Sequence, residues 1–122
     1  MKKLKLSILF IAIFMTVCCY ATEQWRTYIA SANLCGGAHP SITADNKGAV
    51  WITGSSGLSK YADGQWTYYT TSSGLIWPFT ICVAIDKNDN KWIGTFQGIS
   101  LLDSVGNWTS FTINNSGLAN NR

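Results

Sequence analysis

The chain has little of what catalysis draws on. Of its 122 residues one is a histidine, His39, and Glu23 is its single glutamate. A general base with an orienting partner, or a metal cluster, asks for more than that. His39 lies in the loop Gly36-Gly37-Ala38-His39-Pro40 and reads as an exposed loop residue. No nucleophile elbow, phosphate-cradling glycine loop or metal-spaced Cys/His set is present. No catalytic residue, cofactor or metal is therefore expected, and the chain reads as a non-enzyme. Charged residues make up only 12% of the sequence, and proline occurs twice. Asp86-x-Asn88-x-Asn90 begins like a calcium loop. Lys91 then stands where such a loop needs glycine, and Gln97 where it needs a carboxylate, so a hairpin turn is the better reading.

What charge there is divides unevenly. Lys2, Lys3 and Lys5 precede an apolar stretch from Leu6 to Val17, and Cys19-Tyr20-Ala21 supplies small residues at both positions a signal peptidase reads. Residues 1–21 are expected to be a cleaved export signal, the stretch being shorter than the roughly 20 apolar residues of a membrane span. Acylation at Cys18 or Cys19 is the lesser alternative, since Val17 is bulky for a lipoprotein site. The net charge of +3 comes entirely from the three leader lysines. The remainder balances Arg26, Lys47, Lys60, Lys87, Lys91 and Arg122 against Glu23, Asp45, Asp63, Asp86, Asp89 and Asp103. A neutral mature chain carries no electrostatic footprint for nucleic acid. Cys35 and Cys82 remain after cleavage. A bridge is open to them in an exported protein, but they hold different repeat positions and read more simply as two small, semi-buried residues.

What is abundant is repetition. Asp45-Asn46-Lys47-Gly48-Ala49-Val50-Trp51-Ile52 recurs 41 residues later as Asp86-Lys87-Asn88-Asp89-Asn90-Lys91-Trp92-Ile93. Gly57-Leu58-Ser59 recurs at the same spacing as Gly98-Ile99-Ser100. Single insertions then put Trp66-Thr67 against Trp108-Thr109 at 42, and Gly74-Leu75 against Gly117-Leu118 at 43. Each unit reads as four short strands parted by polar or glycine turns. The first unit gives Ile42 to Ala44, Ala49 to Thr53, Gly57 to Tyr61 and Gln65 to Thr70. The second gives Ile81 to Ile85, suited to burial on both faces, then Lys91 to Thr95, Ile99 to Asp103 and Asn107 to Thr112. Asn107-Trp108-Thr109 and Asn114-Asn115-Ser116 match the glycosylation pattern but read as strand and turn.

A period in this range, with four apolar stretches per unit, indicates a β-propeller blade. The expected fold is all-β, a partial propeller over residues 22–122. An orphan fourth strand over 24–34, carrying Trp25, is followed by a first blade over 35–75 and a second over 76–118. Trp25, Trp51, Trp66, Trp92 and Trp108 all occupy repeated positions and are read as core or inter-blade packing, with Asp45, Asp86, Gly57 and Gly98 as further structural repeat residues. A blade hides its apolar faces only against other blades, and rings use roughly four to eight. The chain therefore reads as a portion of a larger propeller, or as a protomer that completes its ring by self-association.

The pattern D-x-x-x-x-x-W-I…G-(L/I)-S…G-x-W-T…G-L, over nearly all of Gln24 to Leu118, resembles the two-component regulator propeller repeat. The resemblance implies a ligand-sensing propeller in a periplasmic or secreted bacterial protein. Two alternatives remain open: a cell-envelope scaffold that docks other proteins, and a propeller lyase-like enzyme.

Trp77 is the one tryptophan outside the repeat. Trp77-Pro78-Phe79 joins one blade to the next, and such connections, with the second-to-third strand turns, line one mouth of a propeller. Trp77, Phe79, Phe96, Gln97, Ser55, Ser56 and His39 form the candidate ligand face; the alternative for all seven is loop packing without a ligand. Expected partners are an unidentified ligand, with a glycan as the candidate class, and further blades or a second copy, with no nucleic acid and no membrane span. Residues 22–122 alone should associate or fold loosely, because open sheet edges and faces invite pairing. A cooperative thermal transition of a monomer would contradict this.

Overall fold

The computed structural model describes residues 26–27, 34–38 and 41–121. The leader 1–21, Trp25 with most of the segment 24–34, and His39 lie outside the described residues.

Two four-stranded antiparallel sheets follow one another along the chain. The first consists of β1 (Ile42–Ala44), β2 (Val50–Gly54), β3 (Gly57–Ala62) and β4 (Gln65–Tyr69). The second consists of β5 (Thr80–Ile85), β6 (Lys91–Thr95), β7 (Gly98–Leu102) and β8 (Trp108–Phe111). In both, strand order equals chain order, so each sheet is a meander of hairpins. These are the two expected blades, with most strand ends within a residue of the sequence reading. A short 3-10 turn at Thr71–Ser73 is the one helical element among the described residues.

The repeated residues turn out to have separate tasks. Asp45 and Asp86 open the first turn of each sheet and fold it locally. The Asp45 carboxylate accepts from the backbone N–H of Lys47 and Ala49 at 3.0 and 2.9 Å. Asp86 does the same for Asn88 and Asn90 at 2.9 and 3.0 Å. The second carboxylate oxygen takes the indole N–H of the repeated tryptophan, Trp51 at 2.9 Å and Trp92 at 3.1 Å. A carboxylate that bonds the backbone two residues on is an Asx turn, and here the same side chain also pins the tryptophan six residues later.

Gly57 and Gly98 begin the third strands at φ of 142° and 124°. A Cβ at either would run into a carbonyl oxygen of the fourth strand, that of Tyr69 or Phe111. Both the backbone angle and the close approach therefore demand glycine. Ser59 and Ser100, two residues on, are fully buried. Each hydroxyl accepts a backbone N–H from the segment entering its blade: Cys35 at 2.8 Å for Ser59 and Ile76 at 2.9 Å for Ser100. A buried amide must find such a partner.

The core lies between the blades. Trp51, Leu58 and Leu75 come from the first unit and its exit, and Val83, Ile93 and Leu102 from the second. Tyr69, Ile85 and Trp108 close its margin. Thr80 ties the sheets together: its Oγ1 accepts from Gly54 N–H at 2.8 Å and sits 3.1 and 2.9 Å from the carbonyl oxygens of Gly54 and Gly57.

Two expectations need correction. Ile81 to Ile85 is not buried on both faces: Val83 is buried, but Cys82 and Ala84 are exposed. A register shift between Thr80 and Cys82 accompanies this, and the outward face meets no second sheet among the described residues. Trp92, read as packing like its counterpart, is 37% exposed where Trp51 is 2% exposed. It stacks on Phe111 at 5.8 Å, much as Trp51 stacks on Tyr69 at 5.4 Å, but among the described residues no third sheet covers the pair. Cys35 is buried and Cys82 exposed, both as free thiols.

Thr80→Val keeps the shape of the side chain and strands the Gly54 N–H between the blades. The variant should lose about 1–3 kcal/mol of stability, read as a lowered urea midpoint. An unchanged midpoint would show that the hydroxyl does not join the sheets.

Candidate functional site

The alternation of hairpins sends the turns β2–β3 and β6–β7 to one end of the sheets and the turns β1–β2, β3–β4, β5–β6 and β7–β8 to the other. Most of the candidate ligand face sits at the first end. Phe96 and Gln97 form the β6–β7 turn, and Phe79 immediately precedes β5. The Phe79 and Phe96 rings meet edge to face with centroids 5.5 Å apart, an arrangement favoured by the ring quadrupole. Ser55 and Ser56 form the β2–β3 turn, between the two glycines whose carbonyls reach Thr80. Because Thr80 follows Phe79 directly, that bond also brings the serine turn beside the aromatic pair. Ser55 N–H donates to Gly36 O at 3.0 Å, so the segment entering the first blade closes over the turn. Trp77 lies two residues before Phe79 in the same connection.

Trp77, Phe79 and Phe96 are 42%, 42% and 41% exposed. Three large aromatic side chains thus stand half in water at one sheet end, while the connection that carries two of them is anchored at Ile76 by Ser100 and at Thr80 by Gly54 and Gly57. His39 lies outside the described residues, so its relation to the set is not part of the geometry.

Sequence reasoning missed a cleft of about 300 Å³ at the opposite end, between the two blades. Lys60 from β3, Tyr69 from β4 and Trp108 from β8 wall it, with Asp45, Asp89 and Asp103 around them. Two ammonium groups converge on the buried Trp51 ring, Lys60 Nζ at 5.3 Å and Lys91 Nζ at 5.4 Å from its centroid. Lys91 is itself buried and pairs with the Asp89 carboxylate at 2.9 Å. Such cation–π contacts gain strength where water is excluded.

Hydrogen bonds hold Asp45, Asp89 and Asp103 at this end as anions. Burial pushes Asp45 up, but hydrogen bonds from Trp51, Ala49 and Lys47 and the nearby Lys91 charge outweigh it and bring the group below the usual carboxylate value. Asp89 is lowered by its hydrogen bonds from Lys91 and from Asn46 N–H. Asp103 is lowered by Asn107, through backbone and side chain. Asp86, on the open side of the second blade, is lowered to about 2 by the Asn90 side chain, the Asn90 backbone and the Trp92 indole. A signal for the cleft did exist in the sequence. Lys60 stands where the second unit has Leu101, and Lys91 where the first has Val50. Both lysines depart from the repeat, and both come together over Trp51.

No family model matches the chain, and no curated protein matches it in sequence. Solved structures do. The extracellular domain of a hybrid two component system from B. thetaiotaomicron superposes with a TM-score of 0.67 at 22% identity, over 74% of this chain and 13% of that one. PorZ, a bacterial surface component of the type-IX secretion system of Porphyromonas gingivalis, gives 0.54 at 18% identity, over 74% and 15%. A streptogramin B lyase gives 0.52 at 18% identity, over 61% and 26%. The chain thus spans a quarter or less of the length of two of these structures and 26% of the third. Among the described residues no helix is long and apolar enough to cross a membrane.

Asp86 offers a direct check on the turn geometry. A carboxyl whose folded value is depressed stabilises the fold above its ordinary value of 3.8, and that contribution is lost as pH falls through about 2. The Asp86 carboxyl carbon should titrate near 2 by NMR, with the Trp92 indole proton moving in step. A midpoint near 3.8 would mean that the Asp86–Asn90–Trp92 bonds do not form in solution. The two stacked sheets, their register and these superpositions together identify the fold as two blades of a β-propeller.

Proposed function

We propose that this chain is a non-enzymatic ligand-binding module of an exported bacterial protein, its ligand face being the sheet end that carries Trp77, Phe79 and Phe96. The observation that carries the reading is the aromatic trio itself. Three rings left about two-fifths exposed on anchored backbone are a costly surface to leave wet, since burying such a side chain is worth about 1.5–3 kcal/mol. Phe79 and Phe96 brace one another, and Gln97, Ser55 and Ser56 place amide and hydroxyl groups around them. Flat apolar faces beside neutral hydrogen-bonding groups suit a glycan, whose sugar rings present C–H faces to aromatic rings and hydroxyls to their surroundings. The likeness to the extracellular domain of a two component system and to a bacterial surface component is one of fold, and it is compatible with export.

A screen of neutral oligosaccharides against the full chain tests the proposal. A binding glycan should lose roughly tenfold or more in affinity with Trp77→Ala or Phe96→Ala, the range of one lost interaction of about 1.4 kcal/mol or more. The thermal midpoint should stay near that of the parent chain, because both side chains stand outside the core. Binding unaffected by either substitution would remove the ligand face from this end.

A further inference from the structure

The inter-blade cleft at the opposite end has an imbalance of hydrogen-bonding groups. Its carboxylates already hold donors. Asp45 accepts from Lys47 N–H, Ala49 N–H and the Trp51 indole. Asp89 accepts from Asn46 N–H at 3.1 Å and from Lys91 Nζ at 2.9 Å. Asp103 accepts from Val105 N–H at 3.0 Å, Asn107 N–H at 2.8 Å and the Asn107 amide at 2.9 Å.

Its donors are not spent. Lys60 Nζ reaches no carboxylate within ion-pair distance among the described residues; its one recorded contact is with the Trp51 ring. The Tyr69 hydroxyl and the Trp108 indole N–H donate to no acceptor among the described residues; both rings pack against the margin of the core, their centroids 5.9 Å apart and their planes tilted by 57°. Burial pushes the Tyr69 hydroxyl up, so it remains a protonated donor. The indoles of Trp51 and Trp92 both find a carboxylate, whereas that of Trp108 does not.

An aromatic wall with unspent donors at Lys60, Tyr69 and Trp108, in a cleft of about 300 Å³, calls for a small guest that is rich in acceptors, flat on one face and anionic. We propose that this cleft binds the uronic acid residue of an acidic saccharide. Its carboxylate meets Lys60, its ring lies against Tyr69 and Trp108, and its hydroxyl oxygens accept from the Tyr69 hydroxyl and the Trp108 indole. Charge-assisted hydrogen bonds of this kind are the stronger ones. The lining itself is electrically balanced, with Lys47, Lys60 and Lys91 against Asp45, Asp89 and Asp103. Recognition therefore depends on where the free donors stand rather than on a general positive field. The departure of Lys60 and Lys91 from the repeat is independent support: the blade framework does not require lysine at either position, and the second unit uses an aliphatic residue at one and the first unit at the other.

The site is separate from the aromatic mouth and stands or falls alone. The test is titration of the full chain with glucuronate at constant ionic strength, followed by the indole N–H resonance of Trp108, with glucose and acetate as controls. Glucuronate should shift that resonance saturably, at a concentration roughly tenfold or more below either control. Lys60→Met keeps the alkyl stem over Trp51 and should weaken glucuronate about tenfold or more, whereas Lys60→Arg should retain it. Tyr69→Phe leaves the ring stack intact and should weaken binding by a smaller factor. Lys87→Met, at an exposed lysine outside the cleft lining, should leave it unchanged. Equal response to glucuronate and acetate would reduce the site to simple anion attraction and overturn the proposal. So would equal response to glucose, or full binding by Lys60→Met.

Discussion

Burial of Trp51 between two sheets is the constraint on which the rest of the structure depends. A single meander of four short strands has two faces and no means of hiding either. The first blade presents Trp51, Leu58 and Leu75, the second answers with Val83, Ile93 and Leu102, and the shared surface becomes the core. The most deeply buried polar groups in that surface have partners. The indole of Trp51 has Asp45, the hydroxyl of Thr80 has the carbonyls and amide of the neighbouring turn, and Ser100 takes the amide of the entering chain. Apolar burial drives the contact, and this polar complement fixes its register.

Both candidate sites follow from that contact. The aromatic mouth exists because the connection between blades must cross from the outer strand of one to the inner strand of the next, and it is fastened at Ile76 and Thr80. Trp77 and Phe79 are carried on that fastened segment. The cleft lies between the blades, lined by Lys60, Tyr69 and Trp108 together with the turns at the other end.

The blade pattern was legible in the sequence because its residues answer to local rules. An aspartate that folds its own turn, a glycine forced by a positive φ and a carbonyl contact, and a serine that receives the entering amide must recur wherever a blade recurs. Strand ends were readable to about a residue for the same reason. Burial was less legible. Trp51 and Trp92 are each followed by isoleucine and bonded by equivalent aspartates, Asp45 and Asp86, yet one is sealed and the other exposed, since exposure depends on whether another sheet stands opposite. The β5 segment misled for a related reason: five apolar residues in a row do not reveal that Cys82 and Ala84 face outward.

The candidate mouth was found through Trp77, a tryptophan the repeat had no use for. The cleft was missed because Tyr69 and Trp108 look like ordinary repeat aromatics, and because two lysines replacing aliphatic residues read as solvated surface until both are seen over one ring. The central claim is that the two blades form one cooperative body through the Trp51 surface. Native-state hydrogen exchange of the full chain tests it most directly. The amides of Gly54, Ile76 and Ile93, which lie in or against the shared surface, should open together at the highest free energy measured in the molecule. Independent opening of the two sheets, with Gly54 and Ile76 exchanging as freely as the outer turns, would contradict the account.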